Sequence, residues 1–314
     1  MKALIDNTGG DRPHLWLTKD NLGIDFERLL YVLKRKRSLK EISIYNVFSD
    51  FSNAETRRLY NAIAVKANLE SFSLWSFDGI SVVMITNFLK RARNVRSIRL
   101  RNVVIWNEQE AKQLGHVIRH HPSLQKLSLD NLQTNQGLFE VTLESVKKSS
   151  LRSLRVSAAP NSQHVYLPRA LFTELCTSSK LEDLHLWGFK LNDDSVMRMT
   201  RSLETAGPKH PLKSLSLRYC GPDFTTQGTS ALLEMVKTNF HLQHLHLDPH
   251  LSASVEDDMS FYLQLNRSGA RRRLLKNGDN VSKNDWMKTL ADHSNDMETL
   301  HYLLQEGGST LWSH

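Results

Sequence analysis

Eight short segments of the chain share one pattern of apolar positions. Each begins with an apolar residue and has two more, three and five positions later, with a polar residue between those two. Alternation with a period of two is typical of a β-strand with one buried face, so each segment predicts a strand. The first apolar positions, at intervals of 30, 26, 29, 27, 30, 31 and 30 residues, are Leu39, Leu69, Val95, Leu124, Leu151, Leu181, Leu212 and Leu242. Leu15 and Leu17 predict a degenerate earlier copy.

The residues between successive strands have apolar positions at helical spacing. In residues 107–122, Asn107 predicts a helix N-cap, Glu110 follows three residues later as in a capping box, and Pro122 marks the end. Such a unit of one strand and one helix cannot bury its apolar face alone, so the copies must stack. The core positions of the two clearest helices are Ala111, Leu114, Ile118, Val196, Met199 and Leu203.

This pattern resembles a leucine-rich repeat array of the ribonuclease-inhibitor-like type, whose long repeats pair a strand with a full helix. The resemblance covers about residues 12–250. It implies an α/β solenoid bent into a horseshoe, with a parallel sheet on the concave side and helices on the convex side. The family often has Asn or Cys three positions after the second strand leucine, and only Cys220 conforms. We therefore expect no asparagine ladder and turns held mainly by packing.

The repeat register ends near residue 250, and three segments with helical patterns follow. An open solenoid exposes a hydrophobic end that an atypical terminal unit normally covers, which predicts a helical C-terminal cap. The residues that could supply this cover are Phe261, Leu263, Leu265, Trp286, Leu303 and Leu304. The predicted organisation is an N-terminal segment with a degenerate first repeat (1–38), an array of about eight repeats (39–250) and the cap (251–314).

Trp187 follows the strand leucines at a position that alternation assigns to the concave face. Serine, arginine and aromatic residues dominate this face, and Trp, Tyr and Arg carry much of the binding energy of protein interfaces. We predict that a protein partner binds there, and the candidate binding residues are Tyr45, Trp75, Arg99, Arg101, Asp130, Arg155, His185, Trp187, Arg218 and His246. The alternative is that Trp75 and Trp187 lie flat and only pack against neighbouring strands.

Composition restricts the class of protein further. Two cysteines in 314 residues exclude a disulfide framework and favour a reducing compartment. The sequence contains no signal peptide or membrane span, so we expect a soluble intracellular protein, cytoplasmic or nuclear. The net charge is +8, with basic clusters at 34–40, 90–101 and 271–276. These clusters leave nucleic-acid binding possible, but the first two are more simply explained as helix ends, where cations complement the helix dipole.

Motifs of catalysis are absent from the sequence: it has no phosphate-binding loop, dinucleotide fingerprint, nucleophile elbow or CxxC pair. His244, His246 and Asp248 share one strand face, but a metal site needs further ligands in tight geometry, and exposed histidines are the simpler interpretation. His120 and His121 are expected to be solvated. We therefore predict a non-catalytic scaffold without a cofactor or metal. One alternative, based on fold analogy alone, is a GTPase-activating protein for a small GTPase.

Overall fold

The computed structural model describes residues 5–6, 14–18, 26–36, 38–45, 52–159, 166, 169–206, 210–218, 225–247, 253–268, 283–297 and 299–304. Strands and helices alternate along this part of the chain. The strands are β1 (Ile5–Asp6), β2 (His14–Thr18), β3 (Glu41–Tyr45), β4 (Ser71–Ser81), β5 (Ser97–Val104), β6 (Lys126–Leu132), β7 (Ser153–Ala158), β8 (Asp183–Trp187), β9 (Ser214–Arg218) and β10 (His244–His246). The helices are α1 (Phe26–Arg35), α2 (Asn53–Ala64), α3 (Val82–Arg91), α4 (Glu108–His120), α5 (Gln136–Val146), α6 (Arg169–Cys176), α7 (Asp193–Ala206), α8 (Thr226–Thr238), α9 (Ala253–Ser268) and α10 (Lys283–Asp292).

The ten strands form one sheet in the order of the chain, and β2 to β10 are all parallel. Equivalent apolar positions lie side by side, as in the row that joins Leu15 to Ile42 and Ile42 to Phe72. This register confirms the predicted parallel strands, and β2, which contains Leu15 and Leu17, pairs with β3 in the same way. The antiparallel pairing of β1 with β2 was not predicted from the sequence.

The apolar strand positions and the helices bury one continuous core. In β8, Leu184 and Leu186 are fully buried, whereas the alternating residues Asp183, His185 and Trp187 are only half-buried. Each helix from α1 to α8 contacts the next one along the chain, so the helices form a single layer against the leucine side of the sheet. We call the other side of the sheet, which carries the alternating residues, the open sheet face.

Side-chain hydrogen bonds hold several of the turns that lead into the strands. The His121 Nδ1 atom accepts hydrogen bonds from the backbone N–H groups of Ser123 (3.3 Å) and Leu124 (3.0 Å). Asn239 Oδ1 does the same for His241 and Leu242, both at 2.9 Å. The expectation that packing mainly holds the turns concerns the residues that follow the strands, and there Val103, Leu132 and Phe189 are buried. Where the chain enters a strand, a polar side chain instead satisfies the backbone donors.

His121 is buried, which corrects the prediction that it is solvated. Its Nε2 atom lies 3.1 Å from the carbonyl oxygen of Ala92 and donates to it, since Nδ1 serves as the acceptor for two backbone N–H groups. The preceding residue, His120, is exposed as expected. Burial lowers the pKa of His121, and the bond to Ala92 opposes this effect only in part.

Asparagines also bridge neighbouring repeats just after β-strand leucines. Asn102 (φ 66°) and Asn131 (φ 58°) adopt left-handed backbone conformations, which asparagine tolerates better than most residues. Asn131 Nδ2 donates to Asn102 Oδ1, and Asn102 Nδ2 donates to the carbonyl oxygen of Ser76 at 2.5 Å. The sequence predicts no asparagine ladder because asparagine is missing at the third position after the second strand leucine, and this bridge lies at the second position instead.

The helix α4 shows how local sequence and packing combine in one repeat. Asn107 Oδ1 accepts a hydrogen bond from the Glu110 backbone N–H at 2.9 Å, as the sequence predicts. Glu110 Oε2 in turn accepts from the backbone N–H of Trp106, one residue before the cap. Gly115 lets α4 approach α5, since a Cβ atom at Gly115 would lie 2.3 Å from the Cβ of Ser145.

The helix α9 extends the helix layer beyond α8. Its residues Met259 and Leu263 belong to the main core. Asn266 is buried, and its Nδ2 donates at 2.8 Å to the backbone carbonyls of both Asn239 and Leu242 in the turn before β10. One member of the predicted apolar cover is misplaced, because Leu304 is 42% exposed.

Residues after α9 form a second, smaller cluster. Trp286 of α10 and Leu303, in the helical segment 299–304, are buried together. Tyr302 connects this cluster to α9, with its ring centroid 5.4 Å from that of Phe261 and 5.8 Å from that of Tyr262.

Candidate interaction surface

The open sheet face carries all ten residues that the sequence predicts to bind a partner. They occupy alternating positions of β3 to β10, opposite the buried leucines. The parallel register places Tyr45, Trp75 and Arg101 in one row across neighbouring strands. The structure therefore brings the aromatic and cationic candidates together in space.

Trp75 is the centre of the first aromatic group. Its ring centroid lies 5.0 Å from that of Tyr45 on the preceding strand. On its other side, the Arg101 Cζ atom lies 4.5 Å from the ring centroid, within the range of a cation–π interaction. The half-buried indole is thus held between an aromatic ring and a guanidinium group from its two neighbouring strands.

Trp187 is the centre of the second aromatic group. The Arg155 Cζ atom lies 4.8 Å from its ring centroid, and the His185 ring meets it edge-on at 6.3 Å. The indole Nε1 donates a hydrogen bond of 2.8 Å to Oγ of Ser216, two positions before Arg218 on the next strand. Sequence reasoning missed the role of Ser216. The sequence contained a signal for this contact, because alternation places the small hydroxyl residue Ser216 on the same face as Trp187, in the next repeat.

The packing of both tryptophans bears on the alternative interpretation of these residues. Each contacts side chains of neighbouring strands, as packing residues would. Each also remains half-buried on the open face, so part of each aromatic surface is still accessible. The two roles are compatible, because contacts within the free protein can fix an aromatic side chain in a position for binding.

Small polar residues separate the two aromatic groups. Ser128 Oγ donates to Asp130 Oδ1 at 3.0 Å, and Ser157 Oγ accepts from the Asn131 backbone N–H at 2.8 Å. Arg99 projects from the same face and is exposed. Since β4 and β8 are four strand spacings apart, the tryptophan backbones are separated by about 19 Å.

The arginines of this face differ from several charged residues elsewhere in the described structure. Lys213, just before β9, pairs with Glu182, just before β8, at 2.8 Å, and Lys112 of α4 pairs with Glu108 at 2.5 Å. The ion pairs found within the described residues include none with Arg99, Arg101 or Arg155. Stacking on tryptophan, rather than a carboxylate, positions Arg101 and Arg155.

Two histidines of the face have a pKa below the ordinary value. Burial is the main cause for His185, the charge of Arg155 adds to it, and the carboxylate of Asp183 opposes it. For His246, burial again comes first and the charge of Arg218 second. Both side chains are therefore neutral near pH 7, and the positive charge of the face comes from its arginines and Lys126.

His244 and His246, the suggested pair of metal ligands, have nearly parallel rings with centroids 6.3 Å apart. Within the ranges that the structure describes, no three His, Cys, Asp or Glu side chains are grouped to hold a metal ion. Asp248, the third member suggested by the sequence, lies outside the described residues. No described helix is long and apolar enough to cross a membrane.

The first two basic clusters lie at helix ends only in part, because the second one continues into β5, where Arg99 and Arg101 are on the open sheet face. Lys34 and Arg35 are in the last turn of α1, and Lys90 and Arg91 are in the last turn of α3. The third cluster lies outside the described residues. A large exposed residue that the sequence did not single out is Trp106, which follows β5 with 75% of its surface accessible.

Comparison with known proteins shows similarity only at the level of structure. No family model matches the chain, and no curated protein matches it. A structure of the Rad7 and Elc1 complex in yeast is 17% identical, with a TM-score of 0.46 over 79% of this chain and 70% of the other. A TLR13–ssRNA13 complex is 20% identical, with a TM-score of 0.39 over 68% of this chain and 26% of the other. Actin-binding site 2 of leiomodin-1 is 13% identical, with a TM-score of 0.34 over 60% and 92%.

The architecture itself defines the class of protein. Strands whose leucines repeat in register, joined by helices in a single layer, make this chain an α/β repeat protein whose architecture is like that of leucine-rich repeat arrays. Its accessible sheet face combines aromatic, cationic and small hydroxyl side chains.

Proposed function

We propose that this protein is a non-catalytic interaction scaffold that binds a protein partner on the open sheet face. The observation that supports this most directly is the pair of half-buried tryptophans, each with an arginine held against its ring on one accessible surface. Tryptophan, tyrosine and arginine are the residues that most often dominate binding energy in protein interfaces. Because neighbouring strands already fix these side chains, they lose little conformational entropy when a partner binds.

We further propose that the array curves as in ribonuclease-inhibitor-like proteins, so that the open sheet face is concave. Support comes from the full helices between strands, such as α4 and α7, which need more room than the strands they connect. A surface of this shape would surround its partner instead of touching it along one edge.

The proposed role of residues 251–314 is to cap the last repeat. Met259 and Leu263 join the main core, and Asn266 binds two carbonyls of the turn before β10. Asn266→Ala should lower the thermal midpoint, since two buried carbonyls lose their donor. The exposed Ser260→Ala change on the same helix is the control. Equal midpoints for the Asn266 variant and the wild type would contradict the cap.

The binding function is tested with a partner isolated by affinity purification from the native source and then purified. Trp75→Ala and Trp187→Ala should each weaken binding by about 2 kcal/mol, which is roughly 30-fold in Kd. Trp106→Ala is a matched control, because it removes an exposed tryptophan from the loop between β5 and α4 and not from a strand of the sheet. Unchanged affinity for both sheet-face variants, with native thermal stability, would contradict binding at this face.

A further inference from the structure

We propose that the open sheet face binds an extended acidic segment of its partner, with one carboxylate at Arg101 and a second at Arg155. This inference rests on the proposed protein-binding function and specifies the chemistry of what is bound. The two arginines stand on β5 and β7, on either side of β6, and each stacks on a tryptophan of the next strand outward.

Stacking prepares each guanidinium group to bind a carboxylate. The tryptophan covers one flat side of the group, whereas its N–H donors lie in its plane and point outward from the edge. A carboxylate can accept two parallel hydrogen bonds from such an edge. Because the ring already restricts the side chain, less conformational entropy is lost when the acidic group binds.

The spacing of the two arginines indicates the length of the bound segment. The strands β5 and β7 are two strand spacings apart, about 10 Å, and the outer strands β4 and β8 about 19 Å apart. Each guanidinium leans outward from its own strand toward the tryptophan of the outer strand, so the separation of the two groups lies between these values. An extended chain covers that distance in about three to six residues, at about 3.3–3.6 Å per residue. The ligand therefore carries two acidic positions separated by a short spacer that crosses the strands.

The charges of the face favour an acidic peptide. The basic side chains at its alternating positions outnumber the acidic ones. The basic residues are Arg99, Arg101, Lys126, Arg155 and Arg218, and the acidic ones are Glu41, Asp130 and Asp183. Within the described part of the chain, no carboxylate forms an ion pair with Arg101 or Arg155, so an incoming carboxylate displaces none.

Asp130 distinguishes a spaced acidic peptide from nucleic acid. It lies on β6, between the two arginine strands, and is paired in register with Arg101. Every nucleotide of a nucleic-acid strand carries a phosphate, at intervals of about 3.4 Å per strand along a duplex axis, so no neutral spacer is available and a strand that crosses β5 to β7 would bring phosphate charge close to Asp130. A peptide with a neutral spacer avoids this repulsion, and Ser128 and Ser157 leave room for its backbone.

The test is fluorescence anisotropy with a labelled peptide that has two glutamate pairs separated by about four Gly and Ser residues. At physiological ionic strength the wild-type protein should bind it about 10-fold more tightly than the same peptide with glutamine for glutamate. A peptide with the same composition but contiguous glutamates should bind more weakly than the spaced one. These comparisons use only wild-type protein, so they do not depend on how a variant folds.

Protein variants then locate the site. Arg101→Gln and Arg155→Gln should each weaken binding of the spaced peptide by about 10-fold, and Arg101→Lys should lose most of the same affinity because lysine lacks the planar donor edge. Arg119→Gln removes the same charge from the exposed end of α4 and should change affinity less than about 2-fold. Equal binding of the glutamine peptide, or equal losses in the Arg119 and Arg101 variants, would overturn the proposal.

Three further results separate this inference from its alternatives and from the function on which it rests. If a single-stranded oligonucleotide binds more tightly than the peptide and depends on both arginines, the acidic-peptide inference is wrong and nucleic acid replaces it. Trp75→Ala and Trp187→Ala could weaken the binding of the purified native partner while Arg101→Gln and Arg155→Gln leave it unchanged. In that case the acidic-peptide inference fails, but binding at the open sheet face stands. If none of these variants affects the native partner, the proposed function itself fails.

Discussion

The two faces of the parallel sheet are stabilised in different ways. On the helix side, Leu184 and Leu186 of β8 are fully buried, and the turn that leads into β6 is fixed by hydrogen bonds to His121. On the open face, Trp187 and Arg155 contact each other across strands but stay accessible. The difference indicates that substitutions on the helix side will act mainly on folding, and those on the open face mainly on binding.

The largest expected effect is a contrast between two residues of β8. Leu184→Ala should lower the free energy of unfolding by about 2–5 kcal/mol, because it leaves a cavity in the core. Trp187→Ala should lower it much less, since its ring is only half-buried, although the bond to Ser216 is lost. Chemical denaturation of both variants measures the contrast. A larger loss for Trp187→Ala would show that this tryptophan is primarily a packing residue.

Gly115→Ala should be the next largest change, and it acts only on the helix side. The new methyl group would lie 2.3 Å from the Ser145 Cβ atom, so α4 and α5 must move apart, at a cost of about 1–3 kcal/mol. Gly137→Ala, near the start of α5, is the matched control. The nearest atom to a Cβ there is 3.8 Å away, so the helix propensity of alanine should make this change neutral or stabilising. Adding Ser145→Gly should restore part of the loss. Equal effects of the two alanine changes would contradict the close approach of the helices.

The smallest expected effect is a pH dependence from His121. Its pKa lies below the ordinary value of about 6.5, so on acidification the unfolded chain takes up a proton before the folded protein does. The free energy of unfolding should therefore fall as the pH decreases from about 7 to 5. His121→Asn keeps an acceptor of the kind Asn239 provides and should make this fall shallower. Urea titrations across this pH range test it, with His120→Asn as the control that should resemble wild type.

Much of the fold can be predicted from the sequence because the strands repeat a local pattern. Leu184, Leu186 and their equivalents need only alternation and a common register, and both are visible in the order of residues. The ten residues of the candidate surface follow from the same alternation, so their face is predictable although their binding role stays a prediction.

The remaining features depend on residues about one repeat apart whose chemistry the local pattern does not reveal. The buried ring of His121 donates a hydrogen bond to the Ala92 carbonyl of the preceding repeat. Trp187 donates to Ser216 across neighbouring strands. In the asparagine bridge, Asn131 donates to Asn102. Both residues adopt a left-handed backbone conformation two positions after a strand leucine. Each contact needs the geometry of the turn, which apolar periodicity alone does not specify.

The alternation within each strand has a consequence for how such a protein can diverge. Substitutions at positions such as Arg101 or Arg155 alter the open sheet face without touching the residues that pack against the helices. Descendants of one ancestral array could therefore acquire new recognition preferences one repeat at a time, while selection for folding continues to act on the intervening leucines.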